Sequence, residues 1–315
     1  MRAPGVDASA LAAIGGTPLV RLRTLLPPGS GDVLVKLEGG NPTGSYKDRM
    51  ARAIVEGARE RGDLSPGQRV VEYSGGSTGS SLAFVCAVLG HPLSIVSSDA
   101  FAQEKLDTMR ALGADLTVVA SDGGAITPDL FRRMREAVDR IVAARGSWWV
   151  DQFENRDALL GYAEMGREII AQTDAAGLRI DAFCAGVGTA GMLAGVASAL
   201  RALPHRVRVV ALEPTESPLL TRGTTGPHHV EGIATGRIPP LLGDAHDEAR
   251  AIDEAEARVL ARRLAREEGI FAGTSAALNV AAALQLAAEL GPGSTTVTVA
   301  TDTGLKYLAG GLFRD

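Results

Sequence analysis

The stretch IDAFCAGVGTAGMLAGVASALRALPHRVRVVALEP, residues 180–214, decides the fold. An apolar run, 180–185, ends in a glycine turn where Gly186, Gly188 and Gly191 spell GxGxxG. The segment MLAGVASALR then follows with helical character, and a second β-branched run, VRVVAL, closes at Glu213. Two parallel strands cannot be joined by a tight turn, so strand, helix and strand in this order predict a βαβ unit. Outward from it the same alternation recurs, with strand-like VLVKL (33–37), RVVEY (69–73), LSIVS (93–97), DLTVV (115–119), WWVDQ (148–152) and TTVTVA (295–300) separated by Ala/Leu/Arg-rich helical stretches. The fold class is therefore α/β with mostly parallel sheets, whose ligands lie beyond the C-terminal strand ends. Two α/β domains are expected, 1–150 and 151–315, with residues up to about 35 free to pack on the other domain. Only 217–248, rich in Gly, Pro and His, lacks periodicity and reads as a long loop.

Composition narrows the function classes. The chain has 315 residues, 45% hydrophobic and 22% charged, which suits ordinary globular domains and excludes disordered or coiled-coil readings. A net charge of −5 supplies no basic field for nucleic acid or anionic lipid. Cys86 and Cys184 are too few and too isolated for a disulfide framework or a metal site, and a reduced cytoplasmic compartment is expected. No secretory leader or apolar stretch of membrane-spanning length is read. His228 and His229 are adjacent in a loop, and His91, His205 and His246 follow no ligand spacing, so no metal is expected. Only four lysines occur, Lys36, Lys47, Lys105 and Lys306, so each invites a question.

Three segments have the means for chemistry. The glycine loop 186–191 presents backbone N–H groups and a helix start to a phosphate. Glu213 lies where a dinucleotide fold places its ribose-binding acid, so on this loop alone an NAD site and a purely structural turn both stay open. In NPTGSYKDRMARAIVEGARERG, which starts at Asn41, Lys47 falls on the first helical turn, where the macrodipole disfavours its charged form and suits Schiff-base chemistry. In VVEYSGGSTGSSLAF, residues 70–84, a strand ends at Tyr73 and a helix opens after Gly79. Ser74, Gly75, Gly76, Ser77 and Thr78 between them are equipped to clamp a carboxylate, or simply to cap the helix. A ligand with phosphate, carboxylate and a carbonyl-type carbon satisfies all three segments, and pyridoxal phosphate joined to an amino acid is such a ligand.

At these segments the sequence resembles the cysteine synthase family, the O-acetylserine sulfhydrylase and cystathionine β-synthase relatives among fold type II pyridoxal phosphate enzymes. The blocks IGGTPLVRL (14–22), KLEGGNPTGSYKDR (36–49), GVGTAGMLAG (186–195), ALEPTESPLL (211–220), GPHHVEGIATGRIP (226–239), EEGIFAGTSAALNVAAA (267–283) and TDTGLKYL (301–308) stand in family order. The resemblance implies a tryptophan synthase β-like fold and pyridoxal 5′-phosphate carried covalently by Lys47. It implies a phosphate cradle at Gly186, Gly188, Thr189, Ala190, Gly191 and Met192, and Ser275 as the neutral partner of the pyridine nitrogen. Ser74, Gly75, Ser77, Thr78 and Gln152 match positions that bind substrate carboxylate or cofactor ring, and Gly232 faces the substrate amine.

The implied reaction is β-replacement on an activated L-serine of the O-acetyl or O-phospho type, with sulfide or a thiol as nucleophile, in a homodimeric cytoplasmic enzyme. β-Elimination to pyruvate, a dehydrogenase built on Gly186–Gly191 and Glu213, and a non-catalytic binding protein are the rival readings. Two departures from the family pattern stand out: Ser77 replaces an asparagine and Met192 replaces a threonine. With Gly75 and Gly76 beside it, Ser77 predicts a roomier, more hydrated pocket.

Overall fold

The computed structural model describes residues 6–124 and 127–314. In chain order its strands and α-helices are β1 (Leu19–Arg21), β2 (Asp32–Leu37), α1 (Lys47–Arg61), β3 (Val70–Tyr73), α2 (Ser77–Leu89), β4 (Leu93–Ser98), α3 (Gln103–Ala111), β5 (Asp115–Val119), α4 (Pro128–Arg145), β6 (Trp148–Trp149), α5 (Asp157–Ala175), β7 (Ala182–Gly186), α6 (Gly191–Leu200), β8 (Arg208–Pro214), α7 (Leu219–Arg222), β9 (Glu248–Ile252), α8 (Glu254–Arg263), α9 (Thr274–Leu290) and β10 (Thr295–Ala300). The chain forms two compact units, 1–14 with 47–158, and 15–46 with 159–315.

The first unit holds a four-stranded sheet in the order β5-β4-β3-β6. All its pairings are parallel, as the βαβ pattern requires. β4 is buried at all six positions, which is why LSIVSS reads as a continuous run rather than an alternating one. Val71 and Val96 pack with Leu130, Met134, Ala137 and Val138 of α4, and Phe101 leans on this cluster from the loop after β4. β6 stops at Trp149, three residues earlier than the WWVDQ run suggests, and Asp151 just beyond it has φ +49°.

In the second unit six strands run β1-β2-β10-β7-β8-β9, parallel except for the β1–β2 pair. Residues 15–46 belong here because β2 pairs with β10 along its whole length, from Asp32↔Thr295 to Leu37↔Ala300. The core sits between this sheet and the alanine-rich α9, whose small side chains let the helix lie close on the strands. One polar residue breaks that apolar face. Asn279, fully buried, donates to the Val299 carbonyl at 2.9 Å and accepts the Gly186 N–H at 2.7 Å, tying α9 to the end of β7. The long loop 217–248 contains α7, a short 3₁₀ turn at Pro240–Leu242 and the first residue of β9. Cys86 and Cys184 are buried free thiols, both pushed up to about 12 by burial. No helix among the described residues is long and apolar enough to cross a membrane.

Candidate active site

In the first unit, Lys47 opens α1 and is 7% exposed. Burial pulls its amine down to about 8, against the opposing pull of the Glu72 carboxylate, so near neutral pH it holds a substantial uncharged fraction. A neutral amine is the form that attacks a carbonyl carbon.

The loop between β3 and α2 is built on Ser74. Its Oγ accepts the N–H groups of Gly76 at 3.2 Å and Gly79 at 3.0 Å, which bends the chain into the helix and leaves the hydroxyl proton to donate. α2 begins at Ser77, earlier than the sequence suggests, because Gly79 tolerates a helical position where Met109 of α3 presses close: a Cβ there would meet Sδ at 2.6 Å. In the first turn of α2 the Gly79 N–H is taken by Ser74 Oγ and the Gly76 carbonyl, and the Ser80 N–H by the Gly76 carbonyl, so what the helix start offers an anion is chiefly the positive end of its dipole. Thr78 donates to Gln152 Oε1 at 2.7 Å, so the two positions proposed from the sequence to meet substrate do meet each other.

The space expected around Gly75 is filled. A Cβ on Gly75 would lie 2.2, 2.3 and 2.4 Å from three ring carbons of Phe101, so the ring occupies the volume a larger residue would use. The expectation of a roomier pocket is therefore corrected at this position: an aromatic wall stands there. Lys105 passes beside Gly76, its Cδ 3.9 Å from where a Cβ would be. Gly75→Ser should cost about 1–3 kcal/mol of stability in wild type but under about 1 kcal/mol in a Phe101→Ala background. Chemical denaturation of the four proteins of that cycle checks the coupling; additive costs would show that ring and glycine are independent.

In the second unit, the loop from Gly186 to Gly191 runs into α6, with Ala190 left-handed at φ +64° as its N-cap. It is stitched to the loop around Gly232: Ala234 N–H donates to the Val187 carbonyl at 2.9 Å, and a Cβ on Gly188 would meet the Gly232 carbonyl oxygen at 2.1 Å. Thr189 is 7% exposed and keeps a hydroxyl at the turn, whereas Met192 is buried in α6 and offers no hydroxyl.

Ser275 is the second residue of α9, buried, with its Oγ 3.0 Å from Thr301 Oγ1. Thr274 Oγ1 accepts the Glu231 N–H at 3.2 Å, which links the Gly232 loop to the start of the same helix. Next to it Tyr307 crowds Gly273 and donates to Asp302 Oδ2 at 2.8 Å; burial and the Asp302 charge raise its hydroxyl well above the usual tyrosine range. The following 3₁₀ turn is capped by Thr303, whose side chain accepts the Leu305 N–H.

This donor set fits pyridoxal phosphate. The Gly188 turn admits only backbone, so N–H groups and the Thr189 hydroxyl can approach a phosphate closely; Ser275 gives a neutral partner for a ring nitrogen; Lys47 gives a neutral amine. The dinucleotide alternative does not fit: both Glu213 oxygens are taken, by the N–H of Leu220 at 2.7 Å and by the N–H and hydroxyl of Thr221 at 2.8 and 2.7 Å. His228 and His229 are engaged with the Ala234 carbonyl and the Glu254 carboxylate, and no cluster of three metal-ligating side chains occurs among the described residues. Sequence reasoning missed Asn279, Thr301, Phe101 and Glu72. An asparagine set among the alanine, leucine and valine of 276–284 was a signal for Asn279, and a carboxylate in an apolar strand was one for Glu72.

Comparison with known proteins gives the family. The family model described as pyridoxal-phosphate dependent enzyme matches residues 10–302. A cysteine synthase of Staphylococcus aureus (strain Mu50 / ATCC 700699) is 38% identical over 302 residues, covering 95% of this chain and 95% of that protein. The O-ureido-L-serine synthase of Streptomyces lavendulae is 38% identical over 307 residues, covering 97% and 92%. The crystal structure of a cysteine synthase from Entamoeba histolytica superposes with a TM-score of 0.91 at 30% identity, covering 100% of this chain and 93% of that one.

Proposed function

This chain belongs to the pyridoxal-phosphate-dependent enzyme family, in its cysteine synthase group, and from that premise we propose that Lys47, the loops at 74–78 and 186–192, Gln152, Gly232 and Ser275 form its working site. The protein is a transferase that uses pyridoxal 5′-phosphate for β-replacement on an activated L-serine. The observation that carries the site assignment is Lys47: a buried lysine at a helix start, its amine lowered to about 8, in the unit that also holds the Ser74–Thr78 loop.

When bound, the cofactor supplies an electron sink for the pair left at Cα. Lys47 Nζ would be its attachment point and the base that takes the Cα proton. Ser74, Thr78 and the positive end of the α2 dipole hold the substrate carboxylate, with Ser77 and Gly75 beside them. The loop from Gly186 to Met192 holds the phosphate through the backbone N–H groups from Gly188 onward, those of Gly186 and Val187 being given to Asn279 and Leu212, and Gly232 borders the substrate amine. Ser275 accepts or donates a neutral hydrogen bond and so does not force a proton onto the ring nitrogen, which favours chemistry at Cβ. The leaving group in this reading is acetate or phosphate, the nucleophile sulfide or a thiol, and the enzyme a cytoplasmic homodimer; these last features rest on the family resemblance.

Elimination to pyruvate is not favoured, since replacement enzymes match over nearly the whole chain. Purified protein incubated with O-acetylserine or O-phosphoserine should form a new amino acid only when sulfide or a thiol is added. Pyruvate as the main product in the presence of sulfide would overturn the replacement reading.

A further inference from the structure

Glu72 lies in β3, two residues before Ser74, and is fully buried. Its carboxylate faces donors: Oε1 accepts the Tyr73 N–H at 2.8 Å and the Trp149 indole N–H at 3.4 Å, and Oε2 accepts the Gln152 N–H at 2.9 Å. A carboxylate is costly to bury, and three converging N–H groups are what offset that cost. The residue just before the donor of the third is strained. Asp151 has φ +49°, a left-handed conformation that non-glycine residues rarely adopt, so the turn that presents Gln152 needs an anchor. From Gln152 the connection continues: Oε1 accepts Thr78 Oγ1–H at 2.7 Å and Nε2 donates to the Tyr73 carbonyl at 3.3 Å.

We propose that Glu72 is a positioning residue that touches neither substrate nor cofactor but, by anchoring Gln152, fixes Thr78 and the 74–78 loop in the arrangement that binds the substrate carboxylate. This rests on the reading of that loop given above. The charged groups that act on Glu72 are Lys47 at the head of α1 and Asp151 in the turn after β6. Burial, aided by the Asp151 charge, raises its carboxyl to about 7. Only the ionised form can accept all three N–H groups. Substrate affinity should therefore fall as pH drops through about 7, the carboxyl gaining a proton that points at donors.

The test measures the dissociation constant of L-serine, whose hydroxyl is not activated, by calorimetry on the cofactor-loaded enzyme, alongside KM and kcat for the activated substrate. Glu72→Gln turns one acceptor into a donor and should weaken L-serine binding and raise KM about 10- to 100-fold, a larger change than in kcat, which shifts only through the lost pull of the carboxylate on Lys47, with cofactor absorbance retained. The pH step near 7 should vanish in this variant. Asp151→Gly relieves the left-handed strain and in the Glu72→Gln background should recover several-fold in affinity. If Glu72→Gln does not fold, Glu72→Asp, which keeps the charge but shortens the reach to the Gln152 N–H, decides: L-serine affinity equal to wild type in that variant overturns the role. Thr78→Val separates the two readings: weaker binding there with none for Glu72→Gln overturns the anchor alone, while no effect of either variant overturns the loop assignment with it.

Discussion

Lys47→Ala should lower turnover of activated serine with sulfide by at least about a thousandfold, because one amine both carries the cofactor and moves the Cα proton. Borohydride reduction of the loaded wild-type protein, followed by peptide mapping, should place the fixed cofactor on Lys47 and nowhere else. Lys36 is the informative competitor, since it too is fully buried. Its Nζ, however, lies 2.7 Å from the Glu168 carboxylate and donates to the Thr17 carbonyl and Gln172 Oε1, each at 2.8 Å, which holds it as an ion-paired ammonium. Cofactor mapped to Lys36 would refute the assignment. The pH dependence follows from the same contrast. The protonated amine does not attack a carbonyl, so cofactor uptake by the apoprotein should climb with pH and level off above about 8, where Lys47 is mostly neutral. An ordinary exposed lysine would still be accelerating there.

The pieces legible in the sequence are those whose partners lie nearby in the chain. The strand–glycine–helix units at 70–89 and 182–200 show as local pattern, and Lys47 at the head of its helix follows from the turn chemistry before it. Two strands were not legible. β1 is only three residues long, and β9, EARAI, alternates charge with alanine because it closes the sheet edge, where Glu248 and Arg250 pair with Arg208 and Glu289. β6 was read too long because an apolar WWV run cannot reveal that Asp151 turns left-handed. Within the site, what escaped were contacts between residues far apart in sequence: Phe101 on Gly75, Gln152 on Glu72, Asn279 on Gly186. Such pairs exist only once segments 26, 80 and 93 residues apart are brought together by the sheets and the helices on them, and no local spacing encodes them.

Gly188→Ala should damage both stability and cofactor binding. The added carbon would lie 2.1 Å from the Gly232 carbonyl oxygen, inside any tolerable contact, and the obstacle is backbone. Phe101 beside Gly75 can at least rotate; the Gly232 carbonyl moves only with its loop, which Ala234 N–H and Glu231 N–H pin to Val187 and Thr274. Overpacking of this kind costs about 1–3 kcal/mol or more, and because the turn must shift, its N–H groups leave the positions from which they would hold phosphate. The variant should therefore melt several degrees lower and retain cofactor at least about a hundredfold less tightly, read by thermal unfolding with and without added pyridoxal phosphate. Gly232→Ala is the matched control. Its φ of +83° makes any side chain strained, yet nothing lies within 4 Å of its Cβ position, so it should cost only about 1–2 kcal/mol without displacing the Gly188 turn. Equal losses of cofactor in the two variants would mean that close backbone approach at Gly188 has no part in holding the phosphate.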